Sequence, residues 1–330
     1  MPLDVSLADL GDQPRLSEGI HARRARFHQS WYRAAQLGVK SWGSAPSGRP
    51  FGSILPPAAA EAGLNFAASE SRQLFLSRRQ QGWGADPVRM TRHMTSSQTL
   101  LVNLLGPLGS DPTWLLEVLR LLLQRSDIAE VIRWDIEFAP PRRSQYLGDM
   151  TRLDAFFRVR TDFGVEGLVL ELKYTDRFSS RRIDVAGSQR YAELASSRDL
   201  WHDPQAAFID PTIGQLLRCH ALGERILQVD EPSAGGTTLL LVSHPNDTTA
   251  LLVMDRYRAA LTNKSRAVDL ALDRVLAVAL ATAPSASAAA VVRGLQLRYL
   301  DHWESEHLWQ EHTTDVARLT GRSRGRFTIQ

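Results

Sequence analysis

Apolar and polar positions change period near residue 125. Before it the spacing is helical: Thr95–Asn103 reads as a capped helix start, and Asp111-Pro-Thr113 opens a strongly apolar helix running to about Gln124, with Asp or Thr as N-cap. After it the spacing alternates. Val131–Phe138 is predicted as a strand ended by Pro140-Pro141, Arg152–Arg160 as a second and Gly167–Tyr174 as a third. A loop-rich stretch follows, then a helix over Asp210–Arg225, a fourth strand over Thr238–Ser243, and helices through most of 247–312. Helix, three strands, helix and strand in that order predict an α/β fold around a small mixed sheet, flanked by helices. No internal repeat is visible.

Residues 1–90 read as an N-terminal extension of irregular pattern. Its basic segment, His21–His28, fits a solvated amphipathic helix face or a contact to phosphates, and a Gly/Pro/Ser-rich stretch from Trp42 to Pro57 reads as loop. Residues 313–330 form a basic tail, with Arg318–Phe327 open to phosphate contact or to disorder.

The second and third strands are joined by Thr161–Glu166, a short connection containing Gly164, so a hairpin is expected. A turn centred between Phe163 and Gly164 places Asp154 opposite Lys173, and Glu171 opposite Phe156. Directly opposed residues and residues two apart share a face, so Asp154, Glu171 and Lys173 converge on one side of the sheet. A slip of one residue would send Asp154 to the other face. Leu170, Leu172 and Tyr174 then point the opposite way. Charges in a central strand are costly unless paired or bound to metal. A buried Glu–Lys–Asp ion network and a catalytic site both satisfy that demand.

Composition sharpens the choice. Of 39 basic residues only Lys40, Lys173 and Lys264 are lysine, so a generic need for positive charge is elsewhere met by arginine. A lysine at 173 has a chemical rationale, since its ammonium is compact and its charge responds to burial. A net charge of +3 permits a nucleic-acid partner without demanding one. Cys219 is the only cysteine, which excludes internal disulfides and cysteine-built zinc sites and makes a reducing cytoplasm the expected setting. Met1–Asp9 lacks the layout of a secretory signal, and apolar runs such as Trp114–Leu123 are broken by charge too soon to cross a bilayer. His307 and His312 are five apart, so on a helix they diverge by about 140° and do not make a zinc pair. No Gly-rich phosphate loop suggests an ATPase or dinucleotide enzyme.

Asp154, sixteen intervening residues and then Glu171-Leu-Lys173 resembles the Asp…Glu-x-Lys motif of the PD-(D/E)XK nuclease superfamily, with Leu153 where that motif often carries proline. Met94–Thr99 with Asn103 and Gly106-Pro107, then Glu171–Asp176, then Gln215–Arg218, is similar to a bacterial subgroup of restriction-endonuclease-like proteins. The resemblance covers roughly residues 90 to 300 and makes 91–312 a nuclease domain. It implies a restriction-endonuclease-like αβββαβ core with an N-terminal extension and C-terminal helices. It also implies hydrolysis of DNA phosphodiesters with Mg²⁺, Mn²⁺ serving in its place. Asp154, Glu171 and the backbone carbonyl of Leu172 would hold the ion, with Glu117 on the first core helix as a further acidic candidate. Lys173 would position or activate the attacking water or neutralise transition-state charge, and Gln215 would orient the site. Double-strand cutting by a homodimer, a structure-specific or single-strand repair or defence nuclease, and a non-cutting nucleic-acid binder of the same fold are the readings this leaves open.

Overall fold

The computed structural model describes residues 5–13, 18–82, 84–179 and 184–314, so the basic tail from 315 onward lies outside the described residues. Its centre is a five-stranded mixed sheet of β1 (Ile128–Phe138), β2 (Leu153–Thr161), β3 (Gly164–Lys173), β4 (Thr237–Ser243) and β5 (Ala267–Ala271), in that spatial order. The first three strands run antiparallel to one another, whereas β3/β4 and β4/β5 are parallel. Leu239–Val242 of β4 is apolar at every position and fully buried, as expected of a parallel strand covered on both faces.

Apart from shorter turns, the helices are α1 (Ile20–Ala35), α2 (Ser69–Gln80), α3 (Ser97–Ser110), α4 (Pro112–Leu123), α5 (Gln189–Arg198), α6 (Gly214–Asp230), α7 (Thr248–Ala260), α8 (Leu272–Ala281) and α9 (Ala286–Tyr299). Leu170 and Leu172 of β3 pack with α3, α4, α8 and α9 on one side of the sheet. Val169 packs with α5, α6 and α7 on the other. The mixed α/β architecture of the sequence reading is therefore present. The α4 cap is as predicted, with Asp111 accepting from the N–H groups of Thr113 and Trp114. The strand β5 is an addition, lying inside a region read as helical. Among the described residues no helix is long and apolar enough to cross a membrane.

The hairpin register differs from the expected one by two residues. Thr161 pairs with Gly164 and Ala155 with Leu170, so the turn is Asp162-Phe163 and the register brings Asp154 alongside Glu171 rather than Lys173. Two local features fix the tighter turn. Gly164 takes φ +129°, and Thr161 Oγ1 accepts from the Phe163 N–H while donating to the Gly164 carbonyl. An even shift preserves parity, so the faces assigned to Asp154, Glu171 and Lys173 are unchanged.

The basic segment 21–28 is built into the interior of α1. Phe27, His28, Gln29, Trp31 and Arg33 are buried, and Arg24 bonds Ser305 and Glu306. His28 and His244 form a chain of rings with His302, at centroid separations of 4.8 and 5.1 Å. Burial holds His28 down to about 3 and, with the charges of His21 and His28, His244 down to about 3. Protonation of such a group favours the unfolded chain. Its stability contribution is complete above about pH 6.5 and is lost as the pH falls toward 3. His244→Asn, which keeps an acceptor for the Asn246 N–H, should make unfolding free energy less steeply pH-dependent across that window by about 1.4 kcal/mol per pH unit. Urea denaturation at several pH values measures this, and parallel curves for parent and variant would contradict it.

Candidate active site

The site forms where the β2–β3 ladder ends. Backbone pairing stops at Ala155↔Leu170, and the Leu172 N–H is instead accepted by Asp154 Oδ2 at 2.8 Å. In an antiparallel strand the N–H and C=O of one residue point the same way, so the Leu172 carbonyl also faces the gap beside Asp154. Two elements hold this strand end. Ser97, in the first turn of α3, donates through both its N–H (2.9 Å) and its Oγ (2.6 Å) to Asp176 Oδ2, a favourable place for a carboxylate. Tyr174 N–H returns to Ser97 Oγ at 3.2 Å. The sequence blocks 94–99 and 171–176 are thus one structural unit.

From the other side, α6 lies unusually close to β3. A Cβ on Gly223 would come within 2.4 Å of Val169 Cγ2, so only glycine permits this approach. One and two turns earlier on the same helix face, Cys219 and Gln215 reach Glu171. Gln215 Nε2 donates to Glu171 Oε1 at 2.6 Å, and Cys219 Sγ donates to Glu171 Oε2 at 3.5 Å. Gln215 Oε1 accepts from Lys173 Nζ at 3.4 Å and from the Ser179 N–H at 2.6 Å. Lys173 Nζ also pairs with Glu171 Oε1 at 2.7 Å and sits 5.1 Å from the Phe178 ring centroid. Asp154, Glu171, Lys173 and Gln215 are therefore brought together. Glu117 is not: α4 covers the opposite face of the sheet, and its carboxylate is half-exposed and pairs with Arg120.

The third acidic group comes from β1. Pairing of Ile136 with Ala155 and of Phe138 with Leu153 sets Glu137 beside Asp154, so Glu137, Asp154 and Glu171 form a row across three strands. Glu137 takes φ +46°, an uncommon conformation for a residue with a side chain. Arg78 holds the backbone there, donating to the Ile136 and Glu137 carbonyls at 2.8 and 2.7 Å. Glu137 is 1% exposed, pairs with Arg152 Nε at 2.8 Å through Oε2, and leaves Oε1 without a hydrogen-bond partner. Nothing in the alternation of β1 marks Glu137. Only the register across two strand pairs does.

The electrostatics follow from this crowding. Burial raises Glu137 to about 7, with Glu171 adding to the rise and Arg152 opposing it. Asp154 stands well above the ordinary carboxylate range, first through burial and then through the charges of Glu171 and Glu137. Burial alone would lower Lys173, but Glu171 and Asp154 more than reverse it and hold the ammonium charged above its usual range. Burial and the same carboxylates push the Cys219 thiol up, which makes it a neutral donor and not a nucleophile.

Glu171 has Lys173 and Glu137 has Arg152, but Asp154 has no ion-pair partner among the described residues. Asp154 is thus the carboxylate of the row without a cation of its own. Among the described residues no three His, Cys, Asp or Glu groups are gathered into a ready cage for an ion. The donors present are nevertheless hard oxygens with one unpartnered carboxylate oxygen among them. That chemistry fits a small divalent cation which keeps much of its water.

A family model described as the PD-(D/E)XK nuclease superfamily matches residues 17–301. No curated protein and no solved structure matches the chain.

Proposed function

Because the chain belongs to the PD-(D/E)XK nuclease superfamily, we propose that it hydrolyses phosphodiester bonds of DNA with Mg²⁺, or Mn²⁺ in its place, at the Asp154/Glu171/Lys173 site. The observation that carries this reading is the row of Glu137, Asp154 and Glu171, with Asp154 lacking an ion-pair partner among the described residues, at a strand end opened by loss of the β2–β3 ladder. A purely structural ion network gains nothing from a further buried carboxyl with no cation of its own, since desolvating it is costly. The order α3/α4, β1, β2, β3, α6, β4 supports the αβββαβ core expected of such nucleases.

Asp154, Glu171 and the Leu172 carbonyl would hold the ion, with Glu137 in place of Glu117 as the further acidic group. When bound, the ion supplies Lewis-acid stabilisation of charge on the phosphate. The protein's own groups divide the remaining work. Gln215 fixes the Glu171 carboxylate and, through its carbonyl, the Lys173 ammonium. Lys173 stays charged and so does not serve as the base at neutral pH. It holds the attacking water by donation and offsets negative charge growing on the phosphorane-like transition state. Phe178 shields one side of the ammonium from solvent, which strengthens that effect.

Labelled duplex DNA, single-stranded DNA and RNA, each incubated with Mg²⁺ or Mn²⁺, test the substrate. Cleavage of DNA is the expected result. Failure to cut any nucleic acid with either ion would overturn the reading.

A further inference from the structure

Arg218 lies one turn after Gln215 on α6. The residue is 7% exposed, yet among the described residues it has no hydrogen-bond or ion-pair partner. Every other strongly buried arginine here is engaged: Arg33 by backbone carbonyls, Arg78 by Ile136 and Glu137, and Arg298 by Gln29 and Asn65. No Arg218 nitrogen is among the buried polar atoms left without a partner, so its unpartnered donors face solvent rather than the sealed core. The side chain is not isolated from solvent. It lines a cavity of about 160 Å³ with Met150, Arg152, Ser179, Gln215 and Cys219. That volume equals several water molecules at roughly 30 Å³ each, enough to admit one phosphate group.

The direction of the guanidinium adds to this. Arg218 Nη1 lies 3.3 Å from where a Gly214 Cβ would stand, so the head folds back over the first turn of α6. That turn begins a 17-residue helix whose N-cap, Ile213, supplies no side-chain cap. A guanidinium lying over the positive end of a helix favours an anion beside it. The cavity is also continuous with the candidate active site, because its wall residues Gln215 and Cys219 are the donors to Glu171.

We propose that Arg218 grips the non-bridging oxygens of the phosphodiester being cut, presenting its planar fork from the α6 side while Lys173 and the carboxylate row act from the sheet. This rests on the nuclease reading for its substrate. A fork matched to two phosphate oxygens fixes orientation as well as charge, which a lysine there would not.

Two measurements test it together. Binding of a fluorescein-labelled DNA duplex in EDTA is followed by anisotropy over a range of KCl, and cleavage is followed in single turnover. For Arg218→Met the slope of log K against log [KCl] should fall by about one, and the cleavage rate should fall on the order of 10²-fold. Arg218→Lys should keep the parent slope and still lose about tenfold in rate, because charge remains and the fork does not. This second variant carries the test if the first fails to fold. Parent-like slope and rate in a folded Arg218→Met protein, or parent-like rate in Arg218→Lys, would overturn the proposal. A lowered slope in a protein that never cuts nucleic acid would keep Arg218 as a phosphate grip and refute the nuclease reading instead.

Discussion

Lys173→Ala should slow single-turnover DNA cleavage on the order of 10³-fold while leaving DNA affinity within about threefold of the parent. The size follows from the position of the ammonium. It is buried at 6% exposure, held charged by Glu171 and Asp154, and fixed by both Glu171 and Gln215, so it costs no reorganisation when charge develops on the phosphate. Affinity is spared because one buried cation adds little to the many backbone contacts that hold a nucleic acid. Stability should change as well. Removing Lys173 leaves Glu171 buried with only the neutral donors Gln215 and Cys219, and breaking a buried pair costs about 3 to 5 kcal/mol. Lys173→Ala/Glu171→Gln removes both charges and should recover most of that loss without recovering activity. A single variant that cleaves at more than a tenth of the parent rate would contradict the role given to Lys173.

Arg33→Met should destabilise the protein by about 3 to 5 kcal/mol, the largest stability effect expected outside the site. Arg33 has no exposed surface, and its guanidinium donates to five backbone carbonyls: Gly52 (2.8 Å), Val39, Ser41 (2.9 Å), Asp9 (2.8 Å) and Leu10 (3.1 Å). These belong to three segments of the first 52 residues which have little regular structure of their own. Methionine fills much of the volume but leaves buried carbonyls unpaired, at roughly 1 to 3 kcal/mol each before relaxation. Urea denaturation measures the difference, and a loss below about 1 kcal/mol would show that these carbonyls find other partners.

What was legible in the chain and what was not divides along physical lines. The strands β1 to β4 and the helices α4 and α6 carry their own hydrophobic period, so Val131–Phe138, Arg152–Arg160, Gly167–Tyr174 and Thr238–Ser243 fell within a few residues of the observed bounds. The shared face of Asp154, Glu171 and Lys173 depends only on parity, and parity survived a two-residue error in register. That error came from turn chemistry: Thr161 and Gly164 close a tighter loop than counting alone suggests. Strand β5 was hidden because Ala-Val-Asp-Leu-Ala is short and weakly patterned, and becomes a strand by pairing with β4. Glu137 and Arg218 were hidden for a different reason. An acidic residue in a strand and an arginine in a helix are ordinary in sequence, and only the packing of β1 on β2 and α6 on β3 gives them a place at the site. Glu117 shows the converse, since helical spacing does not say which face of the sheet a helix will cover.

Whether Asp154 and Glu171 use a divalent cation to cut a phosphodiester is decided by DNA cleavage as a function of Mg²⁺ concentration, comparing the parent, Asp154→Asn and an EDTA control. The parent should cut with saturable Mg²⁺ dependence and not at all in EDTA, and Asp154→Asn should lose on the order of 10³-fold at every Mg²⁺ concentration. Cutting by Asp154→Asn at the parent rate, or cutting that persists in EDTA, would contradict that use of a cation.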